Sequence, residues 1–105
     1  MIVRHEVGLD AETTLNAYGS WLDVGGAVPG SLSVHVDNIT AGEEVDVYIS
    51  NKEDPATASQ IKFGSTLTAD GVTEITTPSR WLRLKLSDAG AGAAITVWVS
   101  WNETS

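Results

Sequence analysis

The stretch that decides the fold is RWLRLKLSDAGAGAAITVWVSW, residues 80–101. Apolar residues alternate with other residues in both of its halves; they are Leu82, Leu84, Leu86, Ile95, Val97, Val99 and Trp101. Alternation at period two is typical of strands that bury one face. The Gly-rich run SDAGAGA between the halves indicates a turn. The stretch therefore predicts two neighbouring strands joined as a hairpin.

The same pattern recurs toward the N-terminus. SLSVHV at 31–36 and EVDVYIS at 44–50 alternate clearly, and weaker candidates lie at 13–19, 20–26, 59–65 and 66–77. In the last of these, Asp70-Gly71 predicts a tight turn, so that residues 66–76 fold back on themselves. Roughly seven to nine short strands predict one antiparallel, all-β sandwich over residues 1–105, with a jelly-roll arrangement. Residues 1–10 are expected to form an N-terminal arm.

Composition excludes several classes of function. The chain has 14 acidic and 6 basic residues and a formal net charge of -8, which disfavours nucleic acids and anionic membranes as partners. It has no cysteine, so neither disulfides nor thiolate metal sites are available. No run approaches the roughly 20 apolar residues that cross a bilayer.

No constellation predicts catalysis. His35 lies in the middle of a predicted strand and His5 in the arm, and no serine has the spacing of a nucleophile elbow. The acidic groups at 43–46 and at Glu53 and Asp54 do not match a calcium-loop pattern and are interpreted as solvated turns. We therefore expect no enzymatic activity, no metal and no cofactor.

The side of residues 80–101 that faces away from the core carries the candidate site. In a hairpin register set by burial, one outer face would be shared by Trp81, Arg83, Lys85, Thr96, Trp98 and Ser100. Three interpretations are open. The face is covered by the chain itself, for instance by the N-terminal segment; it is an oligomer or partner interface, where Trp and Arg are enriched; or it is a carbohydrate platform.

The runs VYISNKEDPATASQIKFG, residues 47–64, and PSRWLRLKLSDAGAGAAITVWVSW, residues 78–101, resemble small β-sandwich modules of tailed-bacteriophage virions. This resemblance implies a structural protein that decorates or cements a capsid, is often trimeric, and is made in the host bacterial cytoplasm before it joins the virion. The implied partners are further copies of the chain and the major capsid protein or another virion protein, and a tail accessory protein is the alternative within the same group. Trp81, Arg83 and Trp98 would then form a contact between subunits, and Ile2, Val3, Arg4 and His5 would dock on the capsid.

Overall fold

The computed structural model describes residues 1–52 and 60–104. These residues form eight strands: β1 Ile2–Glu12, β2 Leu22–Asp23, β3 Ser33–Asp37, β4 Glu43–Ser50, β5 Ile61–Leu67, β6 Gly71–Glu74, β7 Trp81–Ala89 and β8 Ile95–Glu103. Within the same two ranges no helix has the length and apolar character that a membrane crossing needs. The predicted all-β class is confirmed.

The strands form two antiparallel sheets of four. Sheet I has the order β1-β8-β3-β6 and sheet II the order β2-β7-β4-β5. First and last strands are neighbours, as are second and seventh, third and sixth, and fourth and fifth. The first four strands therefore pair in order with the last four, as in a long hairpin whose turn lies between β4 and β5. The four resulting pairs alternate between sheet I and sheet II along the chain. The predicted number of strands is confirmed as well.

The core consists of side chains from both sheets, packed as one cluster. The six inward residues of β7 and β8, from Leu82 to Leu86 and from Ile95 to Val99, have no exposed surface. Trp101 is also buried, as are the alternating residues predicted for β3 and β4; these are Leu32, Val34, Val36, Val45, Val47 and Ile49. Period-two alternation thus identified the buried face of each of these strands correctly.

Two predicted hairpins are wrong. Strand β7 lies in sheet II and β8 in sheet I, so the Gly-rich loop after Ala89 crosses from one sheet to the other. Likewise β5 and β6 lie in different sheets, and the Asp70 carboxylate accepts a hydrogen bond of 2.7 Å from the Ile39 amide instead of closing a tight turn. Alternation cannot separate these cases, because a hairpin within one sheet and a crossing between two sheets both turn the apolar residues inward.

The predicted N-terminal arm is also wrong. Residues 2–12 form β1, which pairs with β8 in an antiparallel register from Ile2 opposite Glu103 to Glu12 opposite Ile95. Only Gly8 and Leu9 of this strand are buried. An edge strand with so little buried surface lacks apolar alternation, so the sequence did not indicate it.

The segment between β1 and β2 passes close to both sheets. It is not the strand predicted at 13–19, but it hydrogen-bonds to β7, with Gly19 N donating to Leu84 O at 2.9 Å and Asn16 N to Leu86 O at 2.8 Å. On its other side, a Cβ added at Gly19 would overlap the carbonyl oxygen of Gly8. Glycine at this position therefore allows the segment to lie between β1 and β7.

Candidate functional site

The structure divides the predicted aromatic face in two. Trp81, Arg83 and Lys85 lie on the outer side of sheet II, whereas Thr96, Trp98 and Ser100 lie on the outer side of sheet I. The two groups are therefore on opposite surfaces of the sandwich, and the prediction that they are cross-strand neighbours is wrong. It failed together with the hairpin on which it depended.

On sheet II the chain itself covers part of the outer face. The guanidinium carbon of Arg83 lies 3.9 Å from the ring centroid of Tyr18 and 4.5 Å from that of Trp21, both of which belong to the segment between β1 and β2. The Arg83 Nε also donates to the side-chain oxygen of Gln60 at 3.0 Å. A guanidinium held over two rings stabilises their packing. This group is structural in character.

Trp81 also has partners within the chain. Its indole Nε1 donates to the Lys52 carbonyl at 2.9 Å, and the Arg80 guanidinium lies 5.2 Å from the centroid of its ring. Its polar atom is thus satisfied, and the ring is half-buried. The first of the three interpretations, cover by the chain itself, describes this side of the molecule, although the covering segment is 13–21 and not the N-terminus.

On sheet I the outer face carries a continuous row that crosses all four strands. Val7 of β1 lies opposite Trp98 of β8, Trp98 opposite His35 of β3, and His35 opposite Val72 of β6. We call these four residues the Trp98 row. The rings of Trp98 and His35 are in contact, with centroids 5.4 Å apart and an angle of 49° between their planes.

The Trp98 row is exposed. Relative exposure is 48% for Val7, 37% for Trp98 and 66% for Val72. Beside the row, the Nδ1 atom of His5 lies 2.7 Å from the hydroxyl oxygen of Ser100, which gives that face a polar border. An exposed aromatic and aliphatic row on the outer face of a sheet, bordered by polar groups, has the make-up of a contact surface.

A polar cleft of about 510 Å³ is lined by residues of β1, of the end of β8 and of the segment 21–26. Its lining includes Arg4, Glu6, Trp21, Trp101 and Glu103. Glu103 accepts hydrogen bonds from the Trp101 indole at 2.8 Å and from Arg4 at 3.3 Å, and these two partners lower the pKa of its carboxyl. The cleft is large enough for a small polar ligand.

Sequence reasoning missed the role of Glu43, which was interpreted as part of a solvated turn. It is fully buried, and its carboxylate accepts backbone hydrogen bonds from Thr40 and Ala41, both at 2.8 Å, and from Ala93 at 3.2 Å. The bonds from Ala41 and Thr40 are the main reason why the pKa of Glu43 is lowered to about 2. Glu43 thus joins the loop before β4 to the loop before β8. Glu53 and Asp54 lie outside the described residues.

Comparison with known proteins adds no family assignment. No protein-family model matches the sequence, and no curated protein matches it. Function is therefore argued from the arrangement of these residues.

Proposed function

We propose that this chain is a non-enzymatic structural protein that binds the surface of another protein through the outer face of sheet I. The observation that carries the proposal is the Trp98 row, in which an indole and two valines are exposed side by side across four strands. Exposed aromatic side chains on a sheet face stabilise a complex when a partner covers them. A rigid sandwich presents these side chains in fixed positions.

The setting we propose is a tailed-phage virion, with the chain as a capsid decoration or cement protein present in several copies. The resemblance of residues 47–64 and 78–101 to virion modules supports this setting. The strand order supports it as well: a two-stranded ribbon divided between two four-stranded sheets is compatible with the jelly roll that we propose here, and jelly rolls occur in viral capsid domains. The negative net charge keeps neighbouring copies soluble until they assemble.

The test is cosedimentation of the purified chain with tailed-phage capsids, comparing wild type with Trp98→Ala. We expect the variant to bind at least about tenfold more weakly, because an indole at the centre of an interface contributes more than its neighbours. Leu15→Ala is the matched control, since Leu15 is 54% exposed but lies outside the row. Equal binding by Trp98→Ala and wild type would show that this face is not the contact surface.

A carbohydrate-binding module is the second candidate, and the polar cleft supports it. Trp21 supplies an indole there, and Arg4, Glu6 and Asp23 supply hydrogen-bonding groups around it. Indoles that stack on sugar rings, bordered by such groups, are a common arrangement in sugar sites. Titration with a panel of soluble oligosaccharides, monitored by tryptophan fluorescence, distinguishes the two. Saturable binding that Trp21→Ala abolishes and Trp98→Ala retains would favour the carbohydrate function.

A further inference from the structure

One long edge of sheet I, formed by the first strand, pairs with no other strand of residues 1–52 and 60–104. β1 is the terminal strand of sheet I, and from Ile2 to Val7 it pairs with β8 residue by residue without a register shift. All residues from 1 to 7 are exposed. The backbone groups that point away from β8 therefore form a regular row of donors and acceptors, which is a template for a further strand.

The other terminal strands are poorer templates. β2 has two residues and β6 has four. β5 is interrupted by a register shift against β4 and by Gly64, whose φ is +65°. Short strands and irregular backbone are ways in which sheet edges avoid pairing. Among the terminal strands that the structure describes, β1 offers the longest regular run, from Ile2 to Val7; its own register shifts come only after Val7.

The sequence of this edge is complementary to itself. When two copies of β1 are laid antiparallel with His5 opposite His5 of the second copy, Arg4 lies opposite Glu6 and Glu6 lies opposite Arg4. In the same register Val3 lies opposite Val7, and this pair also occurs twice. We propose that two copies of this chain associate edge to edge through β1 in this register, so that their two sheets I form one continuous eight-stranded sheet.

The charged pairs lie on the inner side of the strand. Arg4 and Glu6 are opposite Trp101 and Val99, whose side chains point into the sandwich. Arg4 uses its Nε to bind Glu103, which leaves the two terminal nitrogens of the guanidinium to reach Glu6 of the second copy. Glu6 forms no ion pair with any of the described residues. Each pairing thus satisfies a carboxylate that the single copy leaves to solvent.

The apolar pairs lie on the outer side, in continuation of the Trp98 row. Val7 lies opposite Trp98, and Val3 and Val7 have exposures of 57% and 48%. Pairing Val3 with Val7 of the second copy buries part of both side chains and is a favourable cross-strand contact. The paired run ends naturally at Gly8, because the segment containing Gly19 lies against its carbonyl oxygen.

This geometry has a consequence for binding, which rests on the proposed function. The two-fold axis of an antiparallel edge pair stands perpendicular to the sheet, so both Trp98 rows face the same side. A dimer would then contact a lattice at two points, and the second contact would be intramolecular. The pairing is isologous and closes at two copies, in place of the trimer that the virion resemblance implies.

The experiment is sedimentation equilibrium of the full chain between about 1 µM and 1 mM. We expect the wild type to be a dimer in the upper part of this range. Glu6→Arg places two cations opposite each other at both symmetric positions, and we expect its dissociation constant to rise about tenfold or more. The double variant Arg4→Glu/Glu6→Arg restores opposite charges and should regain most of the affinity.

Glu74→Arg is the matched control, because Glu74 is exposed on the far edge of sheet I and the change in net charge is the same. It should leave the dimer unaffected. A monomer at every concentration, a trimer, or a dimer equally stable in Glu6→Arg would overturn the edge pairing. None of these results alters the capsid test with Trp98→Ala, so failure of the dimer and failure of the contact surface are distinguished.

Discussion

Gly19 is a position where the addition of a single methyl group is expected to lower the stability of the fold strongly. Its amide donates to Leu84 of β7, while a Cβ would overlap the carbonyl oxygen of Gly8 in β1 and lie 2.9 Å from the carbonyl carbon. Both neighbours are backbone, so no side-chain rotation relieves the overlap. Gly19→Ala therefore has to push the 13–21 segment away from one of the two strands.

The loss of folding stability is estimated by comparison with Gly8, where an added methyl group would meet a side chain and not the backbone. A Cβ at Gly8 would meet the end of the buried Leu84 side chain, which shifts more easily than backbone does, and we expect Gly8→Ala to cost about 1–2 kcal/mol. For Gly19→Ala we expect roughly 2–3 kcal/mol, near the upper end of overpacking costs. In a domain of this size that corresponds to a fall in Tm of roughly 10–20 °C.

The assay is thermal and urea unfolding followed by far-UV circular dichroism and by tryptophan fluorescence. Fluorescence is informative because Trp21 belongs to the displaced segment and lies against Arg83, so its emission should change even in the folded variant. Gly25→Ala is the control, since the nearest atom to an added Cβ there is the Asp23 carboxylate oxygen at 3.3 Å. If Gly19→Ala were as stable as Gly25→Ala, the close contact between β1 and the segment would be refuted.

Three further predictions concern the buried Glu43, the stacked Arg83 and the apolar core. Because the pKa of Glu43 is lowered to about 2 from an ordinary 4.5, the ionised carboxylate stabilises the fold fully above pH 4.5, and this stabilisation is lost as the pH falls toward 2. Urea unfolding at a series of pH values should show the free energy of unfolding fall over this range. Glu43→Gln should reduce that pH dependence. Arg83→Leu should lower the free energy of unfolding by about 1–2 kcal/mol through loss of the contacts with two aromatic rings, and an unchanged urea midpoint would contradict this role. Leu84→Ala, at a fully buried position, should cost about 2–5 kcal/mol, whereas Val72→Ala, at an exposed one, should cost less than about 0.5 kcal/mol in the same measurement.

The sequence by itself determined which apolar side chains of four strands are buried. Alternation in β3, β4, β7 and β8 identified the inward residues correctly, because a slip of one residue would expose a whole apolar face. It also indicated the all-β class and approximately the number of strands. Composition determined the negative charge and the lack of disulfides. All of these are local properties, which depend on neighbours along the chain.

Only the tertiary structure decided which strands are neighbours, and so where the outward side chains meet. The loop after Ala89 crosses between the sheets, which places Trp81 and Trp98 on opposite surfaces. The same topology brings Val7, His35 and Val72 into one row with Trp98, although these residues are far apart in sequence. A hairpin within one sheet and a crossing between two sheets give the same inward alternation along the sequence. The side chains that meet on the outer surface therefore depend on pairing between strands that are far apart in sequence, which local patterns do not indicate.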